Sequence, residues 1–209
     1  MSKVATKSTL CKVHEILGIS ESYKAPETLM NILKNEKERE DMFFKFLEAF
    51  DYDLSYEWFY DYFESEHADR KNRKQDFTPT CLSKLMAEML NTTDGIINEP
   101  AAGTGSTIIS HWWRERSKSI LLDFNPLNYL YICEELTDKT IPFLLCNLMI
   151  RGMNAVVIHG NTLTREAKAV YHCLNITNDP MGFSDLYELP KNERTEKMFG
   201  IKFVTETRG

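Results

Sequence analysis

Apolar positions recur at helical spacing through the first third of the chain. Leu10, Val13, Ile16 and Leu17 form a stripe that stops at Gly18, and Leu29, Ile32 and Leu33 form a second one after Pro26. Met42, Phe43, Phe46, Leu47 and Phe50 make a third over about 37–50, and Ser55 fits the N-cap of a fourth helix running to a basic cluster at 70–74. From about residue 80 the texture changes. TCLSKLMAEMLN, 80–91, predicts an amphipathic helix, IINEPA a short strand entering a glycine turn, and 106–116 the helix leaving it. YLYICEEL, 129–136, predicts a strand, 137–151 a helix, and AVVIHG, 155–160, and AVYHCL, 169–174, two more strands. Strand, helix, strand, helix and strand in this order imply a parallel sheet with helices on its faces. The pattern thus divides the chain into a helical N-terminal subdomain, 1–74, and a Rossmann-like α/β domain, 75–209.

Composition narrows the function classes. With 43% hydrophobic and 27% charged residues in 209, the chain has the balance of a globular protein. No apolar run approaches the roughly 20 residues that span a bilayer, and MSKVATKST has no apolar core behind its lysines, so a cytoplasmic location is expected. The five cysteines are odd in number and widely spaced, which reads as reduced buried thiols and not as a disulfide or zinc framework. A net charge of -6 argues against a general polyanion binder, leaving DNA contact to a local patch, Arg70, Lys71, Arg73 and Lys74. Just before it, Glu48 to Asp69 holds eight acids and no Lys or Arg, a candidate surface for a protein partner. Between Met42 and Phe63, 11 of 22 residues are aromatic, which suggests rings packed on a second layer; a stacking surface for bases is the sharper alternative.

NEPAAGTG, 98–105, lies at a strand end directly before a helix. Gly103 and Gly105 let the backbone turn sharply and approach a ligand, as nucleotide-type cofactors require. No third glycine follows Gly105 at the dinucleotide spacing. A ribose-binding acid is expected at the end of the next strand. Asp123 has the usual spacing from Gly103, but Asn125 and Pro126 read as a turn, so Glu135 at the end of YLYICEEL is the preferred acid and Asp123 becomes a loop residue.

Taken together, KQDFTP at 74–79, EPAAGTG at 99–105, EELTDKTIPFLLCNLMIRGM at 134–153 and HGNTL at 159–163 resemble the adenine-N6 DNA methyltransferases of the type I modification-subunit kind. More narrowly, the chain is similar to short methylase-like proteins of phages and prophages of Gram-positive bacteria. The resemblance implies a Rossmann-like S-adenosylmethionine-dependent methyltransferase fold, truncated, behind an N-terminal helical subdomain. It implies that Phe77, Thr78 and Pro79 hold the adenine and methionine ends of S-adenosylmethionine, that Glu99 lies near its amino group, and that Ala101, Gly103 and Gly105 line its path. Glu135 would take the ribose hydroxyls, and Asn161 stands where the family has an adenine-contacting Asp.

The family's catalytic loop holds Asn or Asp, two prolines and an aromatic ring after the fourth strand. NDPMGF, 178–183, supplies Asp179 to accept an amino proton, Pro180 for its carbonyl and Phe183 to stack, but Met181 replaces the second proline and Gly182 displaces the ring. Near-attack positioning tolerates little error, so such a loop is expected to be degenerate. Two readings stand side by side: an S-adenosylmethionine-binding interaction protein on a methyltransferase scaffold, such as a phage counter-defence protein, or an active adenine-N6 methyltransferase working with a partner subunit. A methyltransferase acting on a protein or small molecule is a third.

Overall fold

A computed structural model describes residues 8–66, 78–90, 95–118, 120 and 123–204. Capped helices build the N-terminal part. In α1 (Thr9–Leu17) the Ser8 hydroxyl accepts the Cys11 amide, and Gly18, at φ 65°, turns its own amide back on the last turn. α2 (Ala25–Leu33) carries Pro26 in its first turn, where a missing N–H breaks no helical bond. α3 (Glu36–Ala49) opens on Asn35, whose side chain accepts the Glu38 amide and donates to the Glu38 carboxylate. α4 (Tyr60–Glu66) starts later than Ser55 suggests. Asp51 and Tyr52 sit in left-handed backbone that cannot propagate a helix, and the Ser55 amide is spent on the Asp53 carboxylate.

Most rings of this stretch turn inward, while Phe44 and Tyr52 stay exposed. Phe59, Tyr62 and Phe63 surround Phe143 at centroid distances of 4.9, 5.2 and 5.0 Å. One buried apolar cluster runs from Val13 to Cys173, so the helical part and the α/β part share a core. That is the packed-ring expectation for the buried rings. The boundary drawn at 74/75 lies outside the described residues.

The sheet is mixed and mostly parallel. Its strands β1 (Gly95–Glu99), β2 (Tyr129–Glu135) and β3 (Ala155–Asn161) are parallel, joined through α6 (Ser106–Ser117) and α7 (Ile141–Ile150). Moving one way through β1, β2 and β3, two right-handed crossovers put α6 and α7 on the same face. Ile97, Tyr131, Cys133, Ala155 and Val157 pack there, while Val156, Ile158 and Val170 form a second cluster on the other face. α7 is buried along its whole length between the sheet and α2, as its all-round apolar sequence requires.

The fourth strand corrects the all-parallel expectation. β4 (Glu166–Leu174) runs antiparallel to β3, because only four residues join them and a parallel crossover needs a dozen or so. Asn161 Oδ1 accepts the amides of Leu163 and Thr164, and Arg165, at φ 62°, closes the hairpin. β5 (Asp185–Glu188) pairs antiparallel with β4, and after α8 (Glu193–Phe199) the short β6 (Lys202–Phe203) pairs parallel with it. Among the described residues the order β1-β2-β3-β4-β5 leaves β1 at an edge, with Ile96 69% exposed.

α5 (Thr80–Leu90) packs on α6 through Ser83 and Ala87, and its apolar stripe of Leu82, Leu85, Met86 and Met89 faces outward. The cysteines divide as well. Cys133, Cys146 and Cys173 are buried, with thiols pushed up by burial, whereas Cys11 and Cys81 are exposed, against the expectation of buried thiols. Among the described residues, no helix is long and apolar enough to cross a membrane.

Candidate cofactor site at the sheet edge

The C-terminal ends of β1, β2 and β3 gather most of the expected cofactor residues. Gly103 and Gly105 both adopt positive φ, 55° and 99°, so the turn from β1 into α6 needs glycine at both places. Their jobs differ. The Gly103 amide donates to Glu135 Oε2 at 3.0 Å, whereas a Cβ on Gly105 would stand 3.1 Å from Leu144 Cδ1, so Gly105 is the point of close approach to α7. Glu135 Oε1 accepts the Thr137 amide at 2.8 Å. Each carboxylate oxygen keeps a further lone pair, so the group can still receive two ribose hydroxyls.

The surrounding loops are tied to this edge. Ala102 donates its amide to the Glu134 carbonyl, and Thr162, at the hairpin tip, donates its hydroxyl to the Pro100 carbonyl. Glu99 is half-buried, and burial pushes its carboxyl up while the Ala101 amide pulls it back. Pro79 lies at the start of α5, one turn before Ser83, whose hydroxyl meets that of Ser106 at 2.8 Å at the start of α6. Thr78 and Pro79 therefore flank the same turn, and Phe77 lies outside the described residues. Asn161 is at this edge, but its Oδ1, the atom an adenine amine needs, already serves two amides of the hairpin. Asp123 is an exposed loop residue. Beside Glu135 in register stands His159, within 2.9 Å of Asp138, which Lys168 also contacts at 2.6 Å.

A polar network beneath the turn escaped the sequence analysis. Glu57, 3% exposed, accepts the Phe59 amide and Asn147 Nδ2 at Oε1, and the Thr104 hydroxyl also stabilises its charged form. The same Asn147 Nδ2 donates to the Thr104 carbonyl at 2.8 Å, so α7 braces the glycine turn. Arg151 completes the network, donating to the carbonyls of Leu54, Tyr56 and Asn147 and to Asn147 Oδ1. Desolvation pushes the Glu57 carboxyl up to about 7, with the Phe59 amide, Asn147 and Arg151 pulling it back. A lone asparagine in the apolar run LLCNLMI was the available signal. Glu57 also drops out of the acidic partner surface expected at 48–69, while Glu48, Asp51, Asp53 and Asp61 remain exposed. The basic patch at 70–74 lies outside the described residues.

The candidate catalytic residues are elsewhere. Because β4 runs antiparallel, its end at Leu174 lies beside Ala155, the first residue of β3, at the opposite edge from Glu135. A seven-residue strand puts roughly 20 Å between the two edges. The loop is held by Asn175, which donates Nδ2 to the Gly152 and Asp179 carbonyls and accepts the Asp179 amide. Asp179 Oδ1 accepts the Met181 amide, and the Pro180 carbonyl accepts from Arg116. Phe183 packs edge-on against Phe43 and Phe44 at 5.0 and 5.4 Å. The structure thus separates Asp179, Pro180 and Phe183 from the glycine turn and uses them to anchor a loop on the helical part.

No curated protein and no solved structure matches this chain. The model of the N-6 DNA methylase family matches residues 52–207, well over half of the sequence, from the turn after α3 to beyond β6. The chain belongs to the N-6 DNA methylase family.

Proposed function

We propose that this protein binds S-adenosylmethionine along the C-terminal edge of β1 and β2, and that the chain by itself transfers no methyl group to DNA. The observation that carries the first half is Glu135, held by the Gly103 and Thr137 amides with lone pairs to spare. Gly103 gives the cofactor a path free of Cβ, and Glu135 receives the ribose hydroxyls. Glu99 and Thr78 close the two sides. Bound there, the cofactor would supply an electrophilic sulfonium methyl group. The second half follows from the sheet-length gap between this edge and Asp179. On this reading the protein is an interaction module on a methyltransferase scaffold, for which a phage counter-defence role is one use. The second reading, an active adenine-N6 methyltransferase completed by a partner subunit, draws on the open edge of β1, since open α/β folds bind ligands where the strand order reverses and β1 has a neighbour on one side only among the described residues.

Calorimetry with S-adenosylmethionine tests the cofactor, and tritium transfer to adenine-rich duplex DNA tests the chemistry. A saturable heat that Gly103→Val abolishes and Asp123→Ala leaves intact is expected, with no label on DNA. Absence of heat at millimolar cofactor overturns the binding claim. Adenine methylation by the purified chain, lost in Asp179→Ala, overturns the other.

A further inference from the structure

At the sheet edge away from the glycine turn, α3, α6, α7 and the 175–184 loop enclose a cavity of about 300 Å3. Phe44, Tyr52, Ile150, Met181 and Phe183 make it apolar and largely aromatic, and Arg116 opens into it. Arg116 is 7% exposed, its guanidinium 5.1 Å from the Trp112 ring and 5.7 Å from that of Phe124. Nη1 donates to the Pro180 carbonyl, and among the described residues Nη2 finds only the Met181 thioether at 3.3 Å, a weak acceptor. Among the described residues no carboxylate forms an ion pair with it; Asp179, the charge acting on it, is engaged with the Met181 amide. The second guanidinium in the wall, Arg151, has its donors filled by backbone and Asn147, and the buried Glu57 carboxylate is the largest charge acting on it. A guanidinium taken out of water is costly unless an anion meets it. Here Arg116 brings such a group to the wall of an aromatic cavity.

We propose that this cavity is a binding site for a small planar aromatic anion, a ring bearing a carboxylate or phosphate. The ring packs against the cavity side of the Phe44–Phe183 pair and Tyr52, and the anion replaces the Met181 sulfur on Arg116 Nη2. Met181 is exposed and unbranched, so it can swing aside without disturbing Gly182, whose carbonyl is pressed against Gly152. The volume is at the lower end for ligand pockets, roughly 300 to 1,000 Å3, which selects a single ring system over a dinucleotide. The site is independent of the cofactor edge, a strand length away.

The test titrates the full chain with phenyl phosphate and with benzoate, followed by amide chemical shifts. Inorganic phosphate and benzyl alcohol serve as the anion alone and the ring alone. At least one aromatic anion should bind with a dissociation constant under about 1 mM, and both controls at least about tenfold more weakly. Arg116→Met should weaken binding about tenfold, and Phe44→Ala, on the exposed rim, about threefold with the thermal midpoint unchanged. Which anion binds tighter distinguishes a phosphate ligand from a carboxylate one. No saturable shift with either aromatic anion, inorganic phosphate binding as tightly as phenyl phosphate, unchanged affinity in Arg116→Met, or displacement by S-adenosylmethionine would each overturn the proposal.

Discussion

The two edges of the sheet use the same residue types in opposite ways. At the C-terminal edge, Glu135 accepts two backbone amides and still has acceptor capacity facing the turn, and Gly103 exposes backbone to whatever lies there. At the other edge, Asn175 and Asp179 spend their side chains on the loop's own backbone, and Gly152 and Gly182 are pressed together. A motif is therefore read by what remains unspent in its polar groups. NDPMGF matches a catalytic loop in composition, and its polar groups here bond the loop's own backbone.

Breaking the clamp should have the largest effect on stability and a small one on the cofactor edge. A Cβ on Gly152 would lie 2.3 Å from the Gly182 carbonyl oxygen, at a backbone φ of 63° that disfavours alanine. Gly152→Ala should cost roughly 3 to 4 kcal/mol, combining overpacking with the left-handed backbone, read as a shifted urea midpoint. S-adenosylmethionine affinity at a temperature where the variant is folded should be unchanged. An equal loss of affinity would show the two edges to be coupled.

Glu57, beneath the glycine turn, sharpens the comparison through pH. Its carboxyl is raised from 4.5 to about 7 by burial, so the folded state holds the proton more tightly than the unfolded chain. The stabilisation is complete below about pH 4.5 and is lost as pH rises through 7, on the order of 3 kcal/mol in all. Glu57→Gln keeps an acceptor for Phe59 and Asn147 and cannot ionise. Its stability should be flatter between pH 5 and 8 and should exceed that of the parent at pH 8. Parallel pH profiles for the two proteins would remove Glu57 as the titrating group.

Local chemistry was legible in the sequence and relative direction was not. The β1 to β3 order and the glycine turn rest on period and on φ, which adjacent residues determine. The direction of β4 rests on a four-residue connection whose left-handed position is Arg165 and not glycine, so no turn signal announced a hairpin. Periodicity found the stripe on α5 but could not say that Ser83 and Ala87 would be its inward face. Glu57 was hidden by company, one acid among eight, and only its partner Asn147 in an apolar helix hinted at burial.

Glu135→Ala addresses the open edge directly. Removing the carboxylate frees the Gly103 and Thr137 amides to solvent at a half-exposed position, so the fold should lose little. Binding of S-adenosylmethionine should weaken by roughly 1.5 to 3 kcal/mol, the scale of hydrogen bonds to a charged group. Calorimetry at fixed pH reads it. Unchanged affinity would move the ribose elsewhere along the edge, with His159 and Asp138, next to Glu135, the first place to look.

Asp179→Ala should have the smallest effect, and its pattern separates clamp from catalyst. The side chain caps the Met181 amide through Oδ1, a bond of the N-cap kind whose loss costs about 1 kcal/mol, so the denaturation midpoint should fall slightly. Asp179→Asn, which keeps the acceptor oxygen, should recover most of that loss. A catalytic carboxylate predicts the reverse order of consequences: unchanged stability, unchanged cofactor affinity, and a methyl-transfer signal that disappears in both variants. The clamp predicts a stability loss that the asparagine rescues and no transfer signal to lose, because β4 delivers this loop to the edge that Glu135 does not share.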